Sequence, residues 1–251
     1  MNNKIYIISG KLRSKYQKNI NDTFIWFSIS QNAIKTALED KNFLTKESSK
    51  VPSNKKTTIK KGIKRTKEEL SNILEKAYSR DLNSIVIISI IAQVEAYFSD
   101  LLESILRIDR RRLLIKINGI NHTKSFEINK LFDFATMDDI FDDLIKKELI
   151  SVFYASPEKQ FEYIQKVCSI NFDSKLDNLM KKYVEFKATR DILVHNSGLI
   201  NDVYLQKVGN NSRGKIGEIL KVDNYYLEDV VKTSKSIIGS LSSLIQKENK
   251  D

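Results

Sequence analysis

Residues 84–112 read SIVIISIIAQVEAYFSDLLESILRIDRRR. The first half of this stretch is apolar nearly all the way round a helix, and it turns amphipathic only after Glu95. A helix of that pattern belongs at the centre of a bundle, covered by other helices. Its strongly apolar part, IVIISIIA at 85–92, is too short to span a bilayer. Composition points the same way. Eight Gly and two Pro in 251 residues are too few for the many turns of a β-rich fold. The expected fold class is all-α.

Working outward, residues 4–8 (KIYII) read as a short strand. From Leu12 the apolar positions Tyr16, Ile20, Phe24, Phe27, Ile34 and Leu38 recur at helical spacing, which predicts a helix over about 11–42. The stretch 45–63, rich in Ser, Asn, Lys and Thr and holding Pro52, reads as a loop. Thr66 and Glu69 form a potential capping box for a helix to about Tyr78. The N-cap candidates of RDLNS (80–84) then restart the chain into the central helix. Residues 109–126 read as loop, with His122 a solvent-exposed member of it.

Beyond that loop, Thr136 with Asp139 caps a helix to about Tyr154. Ser156-Pro157 starts another to about Cys168. Asp173 caps SKLDNLMKKYVEFKATRDILVHN, which stops at Gly198. Residues 202–222 alternate around GNNSRG and suggest a β-hairpin at about 203–222. A last helix spans about 225–247, with a stripe at Tyr226, Val230, Ile237, Leu241 and Leu244. The expected organisation is an N-terminal helical region, 1–80, on a helical domain, 81–251, forming one compact unit.

Charge is concentrated. Residues 41–67 hold ten Lys or Arg and one acid, Glu47, so this segment carries +9 of the net +10. The rest is a near-neutral globule. The arm reads either as a solvated linker or as a contact for phosphate backbone. The single cysteine, Cys168, excludes an internal disulfide framework. The N-terminus has no apolar run of signal-peptide length. These readings give the expectation of a soluble protein in a reducing cytosol, with no membrane partner.

The helix from residue 174 carries an apolar stripe at Leu176, Leu179, Met180, Tyr183, Phe186, Leu193 and Val194. Arg190 falls one heptad after Tyr183, where the pattern asks for an apolar side chain. A buried guanidinium keeps its proton and needs an anion, from this chain or from a ligand phosphate. In the central helix Glu95 interrupts the line Ile88–Leu102 in the same way, so either the two face one another or Glu95 merely edges the stripe and reaches water.

His195, one of two histidines in the chain, lies roughly 140° round the helix from Arg190. Asp191, four residues before His195, shares its face and could fix the imidazole tautomer. That would prepare His195 as a general acid or base near neutral pH. Because Arg190 and His195 diverge, one helix makes a poor site, and a two-fold dimer would bring both sets into one cleft. HNSG is equally an ordinary helix stop, and a histidine is favoured at a helix C-terminus.

RDILVHNSG (190–198) resembles the R-[N/D/H]-x-x-x-H signature of HEPN domains, matched at Arg190, Asp191 and His195, with Asn196 and Gly198 following. SIIAQVEAYFSDLLESIL is similar to the long first core helix of these domains. The order of motif helix, hairpin and closing helix looks like the prokaryotic RiboL-PSP-HEPN branch. The resemblance covers about residues 80–247. It implies an all-α, HEPN-like helical bundle with a small β-hairpin before the last helix, dimerising along the motif helices.

It further implies a metal-independent endoribonuclease acting as a toxin or antiphage, abortive-infection effector. Arg190 would stabilise transition-state charge, His195 would move a proton, and Asp191 would orient them. Glu95 and Asn196 would support the site. Candidate RNA contacts are Lys187, Arg110, Arg111 and Arg112, the last three reading equally as cations on a helix C-terminus. RNA, a second copy of the chain and an antitoxin or defence partner are the implied partners.

No cofactor is implied, and no His/Cys/Asp set has metal-ligand spacing. DDIFDD (138–143) reads as a solvated face. The alternatives are a non-catalytic HEPN dimer module that binds RNA, nucleotide or protein, and a helical scaffold bound to nucleic acid through the arm.

Overall fold

The computed structural model describes residues 1–40, 42–45, 65–122 and 134–250. The described residues are about 80% helical, so the all-α expectation holds. The helices are α1 (Asn2–Glu39), α2 (Lys67–Lys76), α3 (Leu82–Ile108), α4 (Met137–Tyr154), α5 (Pro157–Cys168), α6 (Ser174–His195), α7 (Asp202–Val208) and α8 (Asn224–Glu248). Among the described residues no strand forms, and the antiparallel bridge between Leu199 and Ile219 stands isolated. Most of the basic arm 41–67, including the loop from residue 46 on, lies outside the described residues.

Four helix starts follow from local chemistry. The Thr66 hydroxyl accepts the Glu69 N–H at 3.1 Å while the Glu69 carboxylate accepts the Thr66 N–H at 3.0 Å. Thr136 and Asp139 repeat the box at 3.2 and 2.9 Å. The Asp173 carboxylate accepts the Leu176 N–H at 2.7 Å ahead of α6. Pro157, which has no N–H to lose, opens α5.

Three expectations are corrected. Residues 4–8 are helical, because α1 begins at Asn2. Ile5, Ser9, Leu12, Tyr16 and Ile20 are buried at steps of three or four, while Ile7 stays exposed, so the helical period wins over β-branched propensity.

RDLNS does not break the chain. A π-helical turn, Ala77–Asp81, joins α2 to α3, with the Leu82 N–H reaching back to the Ala77 carbonyl. The resulting helix, Lys67–Ile108, is long and apolar enough by length and composition to cross a bilayer; half of its most apolar window is buried inside the protein, as in a core helix.

The third correction is the hairpin at 203–222. Asn201 caps α7 by accepting the Tyr204 N–H at 2.9 Å, and Tyr204 and Val208, four apart, turn inward. A cap and a helical pair outweigh the alternation. Only residues 217–220 run beside 198–200, with the Ile200 N–H on the Glu218 carbonyl at 2.9 Å and the Leu220 N–H on the Gly198 carbonyl at 2.8 Å.

Contacts divide the chain into two compact units. One unit comprises Met1–Ile20, Ile91–Ala188 and Lys232–Asp251; the other comprises Asn21–Ile90 and Thr189–Val231.

In the first unit α1 and α8 lie against one another. The Ser242 hydroxyl donates to the Ser9 carbonyl at 3.1 Å, and a Cβ at Gly10 would stand 2.8 Å from Gln246 Nε2. Tyr97 is fully buried, edge-on to Tyr16 at 5.7 Å, and Phe98 meets Tyr183 edge-on at 5.6 Å. Such pairs each contribute about 1 kcal/mol beyond their buried area.

His122, expected in solvent, is buried in this unit. Its Nδ1 lies 2.5 Å from Glu148 Oε1 on α4, and its Nε2 accepts the Ile117 N–H at 2.8 Å. This pattern has Nδ1 donating to the carboxylate. The imidazole thus anchors the chain after α3 to α4, a tertiary pairing that no local sequence signal reveals.

The second unit is built on Ile87, Ile90, Ile192, Ile200, Tyr204 and Leu227, all buried. Within it the buried Asn83 amide donates to the Val222 carbonyl and to Asn224 Oδ1, both at 3.0 Å. Residue 83 of RDLNS thus holds the segment before α8 rather than capping a helix.

Candidate functional site

The C-terminal turns of α6 belong to the second unit. The helix stops because the Ile192 carbonyl takes two N–H groups, from Asn196 at 2.9 Å and from Gly198 at 2.8 Å. To make that turn Ser197 and Gly198 adopt φ of 51° and 79°. Gly198 is favoured by its φ, and the space beside it is tight. A Cβ there would stand 3.1 Å from Arg80 Nη2 and 3.4 Å from Leu193. The Asn196 side-chain amide donates to the Leu199 carbonyl at 2.6 Å, so Asn196 closes the turn.

Arg190 Nη1 lies 3.2 Å from Asp191 Oδ1, and Lys207 Nζ on α7 lies 3.0 Å from Asp191 Oδ2. Sequence spacing offers Asp191 to His195; in the structure the carboxylate goes to these two cations. The His195 ring is exposed and, among the described residues, makes no hydrogen bond or ion pair. The arrangement is therefore a guanidinium steadied by a carboxylate, with an accessible imidazole one turn further on. Val194 and Val203 are exposed in the same region.

Arg80 has no part in the sequence reading. It sits in the π-helical turn and its Nη2 donates to the Ser197 carbonyl at 2.5 Å. The only sequence signal for it is helical continuity through RDLNS, which the N-cap candidates there conceal.

The other expected site residues lie in the first unit. Lys187 Nζ is 3.0 Å from Glu95 Oε1, with side chains only 17% and 24% exposed, so an acid of the same unit holds Lys187. Arg110 Nη2 lies 2.5 Å from Asp138 Oδ1 and its guanidinium covers the Phe141 ring at 4.3 Å. Arg112 donates to the Val167 carbonyl and to Ser169 Oγ, closing the end of α5.

Arg111 pairs with Asp109 at 2.9 Å yet is 77% exposed, which makes it the most available of the three. The hydrogen bond from Arg111, with Arg112 adding to it, holds the Asp109 carboxyl below the usual carboxylate range. The face 138–143 is salt-bridged as well as solvated: Arg107 pairs with Asp142 and holds its carboxyl low too.

Among the described residues no three His, Cys, Asp or Glu side chains gather as metal ligands. The chain matches no protein-family model, no curated protein and no solved structure.

Proposed function

We propose that the protein is a metal-independent endoribonuclease of HEPN type, acting as a toxin or antiphage effector as a homodimer. The observation that carries this reading is the state of His195. It ends α6 with its ring exposed and without a protein partner among the described residues, a few residues after an arginine fixed by Asp191. An imidazole placed in this way is accessible to a substrate proton.

In the proposed reaction the RNA 2′-oxygen forms a bond to phosphorus while the bond from phosphorus to the 5′-oxygen breaks. One His195 takes the 2′-OH proton and a second delivers a proton to the leaving 5′-oxygen. The products are a 2′,3′-cyclic phosphate and a 5′-hydroxyl. Arg190 stabilises the charge that gathers on the phosphoryl oxygens. Asp191 holds the Arg190 guanidinium in place, a role in which it acts on the arginine rather than on the imidazole. Two copies are needed because Arg190 and His195 diverge on one helix.

A second reading, a non-catalytic module that binds a protein partner, draws on the exposed Val194, Leu199, Val203 and Ile219 near the motif.

The test is cleavage of total RNA by purified protein in EDTA. His195→Ala and Arg190→Ala are expected to lower cleavage by about 100-fold or more with unchanged thermal melting. Cleavage that survives in the double variant removes the catalytic assignment. Absence of cleavage by wild type, with growth inhibition that ignores His195, favours the binding module.

A further inference from the structure

We infer that Arg80 is a positioning residue for His195, acting through the backbone of the turn that follows α6. The inference rests on the ribonuclease reading for its catalytic consequence, but its structural core stands apart from it.

Three observations in one unit converge. First, the helix is widened to a π turn over Ala77–Asp81, an arrangement that inserts a residue and re-aims the side chains around it. The Arg80 carbonyl in this turn accepts the Ser84 hydroxyl at 3.0 Å, which secures the deformation. Second, the side chain so aimed places Nη2 2.5 Å from the Ser197 carbonyl, in the left-handed turn two residues past His195. Third, the Arg80 guanidinium lies against Gly198, with Nη2 3.1 Å from where a Cβ would stand, so side chain and turn are in close contact.

The His195 ring has no hydrogen bond of its own among the described residues. Its place is therefore set by the backbone that carries it, and that backbone is pinned by Arg80. A cation here also suits the negative end of the α6 dipole. The π turn makes sense in these terms: regular helical winding through 77–81 would turn the Arg80 side chain elsewhere.

The experiment compares Arg80→Gln and Arg80→Lys with wild type as full-length protein. The first readout is the NMR signal of the His195 ring, assigned with His195→Ala and read against His122 as an internal control. Arg80→Gln is expected to shift and broaden the His195 signal while leaving His122 in place. Arg80→Lys, which keeps a cation able to reach a carbonyl, is expected to restore part of the wild-type position. The second readout is cleavage, where Arg80→Gln is expected to lower kcat at least tenfold with KM within about twofold.

An unmoved His195 signal in Arg80→Gln overturns the inference whatever the activity. If both ring signals shift together, the variant has lost general structure, and Arg80→Met, which keeps the stem and loses the donors, then decides: a wild-type His122 signal with a displaced His195 supports the inference, and two wild-type signals overturn it. Wild-type protein that cuts no RNA sinks the ribonuclease reading and leaves the NMR outcome intact.

Discussion

At the scale of single residues, burial separates the two histidines into different kinds of group. His122 is locked between Glu148 and the Ile117 N–H, whereas the His195 ring faces solvent. Removing one member of the buried pair strands the other. His122→Ala is therefore expected to cost roughly 3 kcal/mol, read by urea denaturation, and His195→Ala to stay within about 0.5 kcal/mol. Equal losses in the two variants would contradict this assignment.

Tyr16 gives a pH prediction. Burial, with the hydrogen bond to Asp100 at 2.7 Å, pushes its phenol from 10.0 up to about 12. Above pH 10 the unfolded chain gives up this proton and the folded chain keeps it, so stability falls between pH 10 and 12. Tyr97 and Tyr163, raised mainly by burial, act in the same direction. Tyr16→Phe is expected to flatten the decline in denaturation free energy over that window, and an unchanged slope would refute the role given to Tyr16.

Elements are legible where the signal is local. The caps at Thr66, Thr136 and Asp173 bond within three residues of themselves, and Pro157 opens α5 without a side-chain cap bond, so sequence spacing alone marks them. The signal fails where a distant partner decides. Asn83 looks like cap material in RDLNS until Val222 arrives, and Arg80 beside it carries no signal until Ser197 does. VYLQKV alternates, yet its Tyr204 and Val208 are buried by helical spacing.

The candidate site divides along the same line. Arg190, Asp191, His195 and Gly198 are close together in the chain and visible there, whereas Lys207 and Arg80 join them only on folding. Gly198→Ala tests the turn as an element. With φ at 79° and Arg80 at 3.1 Å from the added Cβ, the variant is expected to lose about 1–2 kcal/mol in denaturant melts. A neutral result would mean the turn relaxes freely.

For the whole molecule, charge and catalysis are separable. The segment 41–67 carries ten of the basic residues, while Arg190 and His195 lie in a different stretch of chain. Replacing Lys55, Lys56, Lys60 and Lys61 by Gln is expected to weaken RNA binding and flatten its salt dependence, by about 0.7 in log–log slope for each phosphate that no longer meets a cation. Cleavage at saturating RNA should be unchanged. An unaltered salt slope would show the arm to be a spacer.

The packing of α1 on α8 sets a schedule for biosynthesis. Ser9 meets Ser242 across 233 positions of sequence. At ordinary translation speeds the N-terminal helix leaves the ribosome roughly 10–50 s before its cover is made. Throughout that delay Ile5 and Leu12 are open to chaperones and to other nascent chains, and a transcript cut short before codon 232 would yield a polypeptide that never closes.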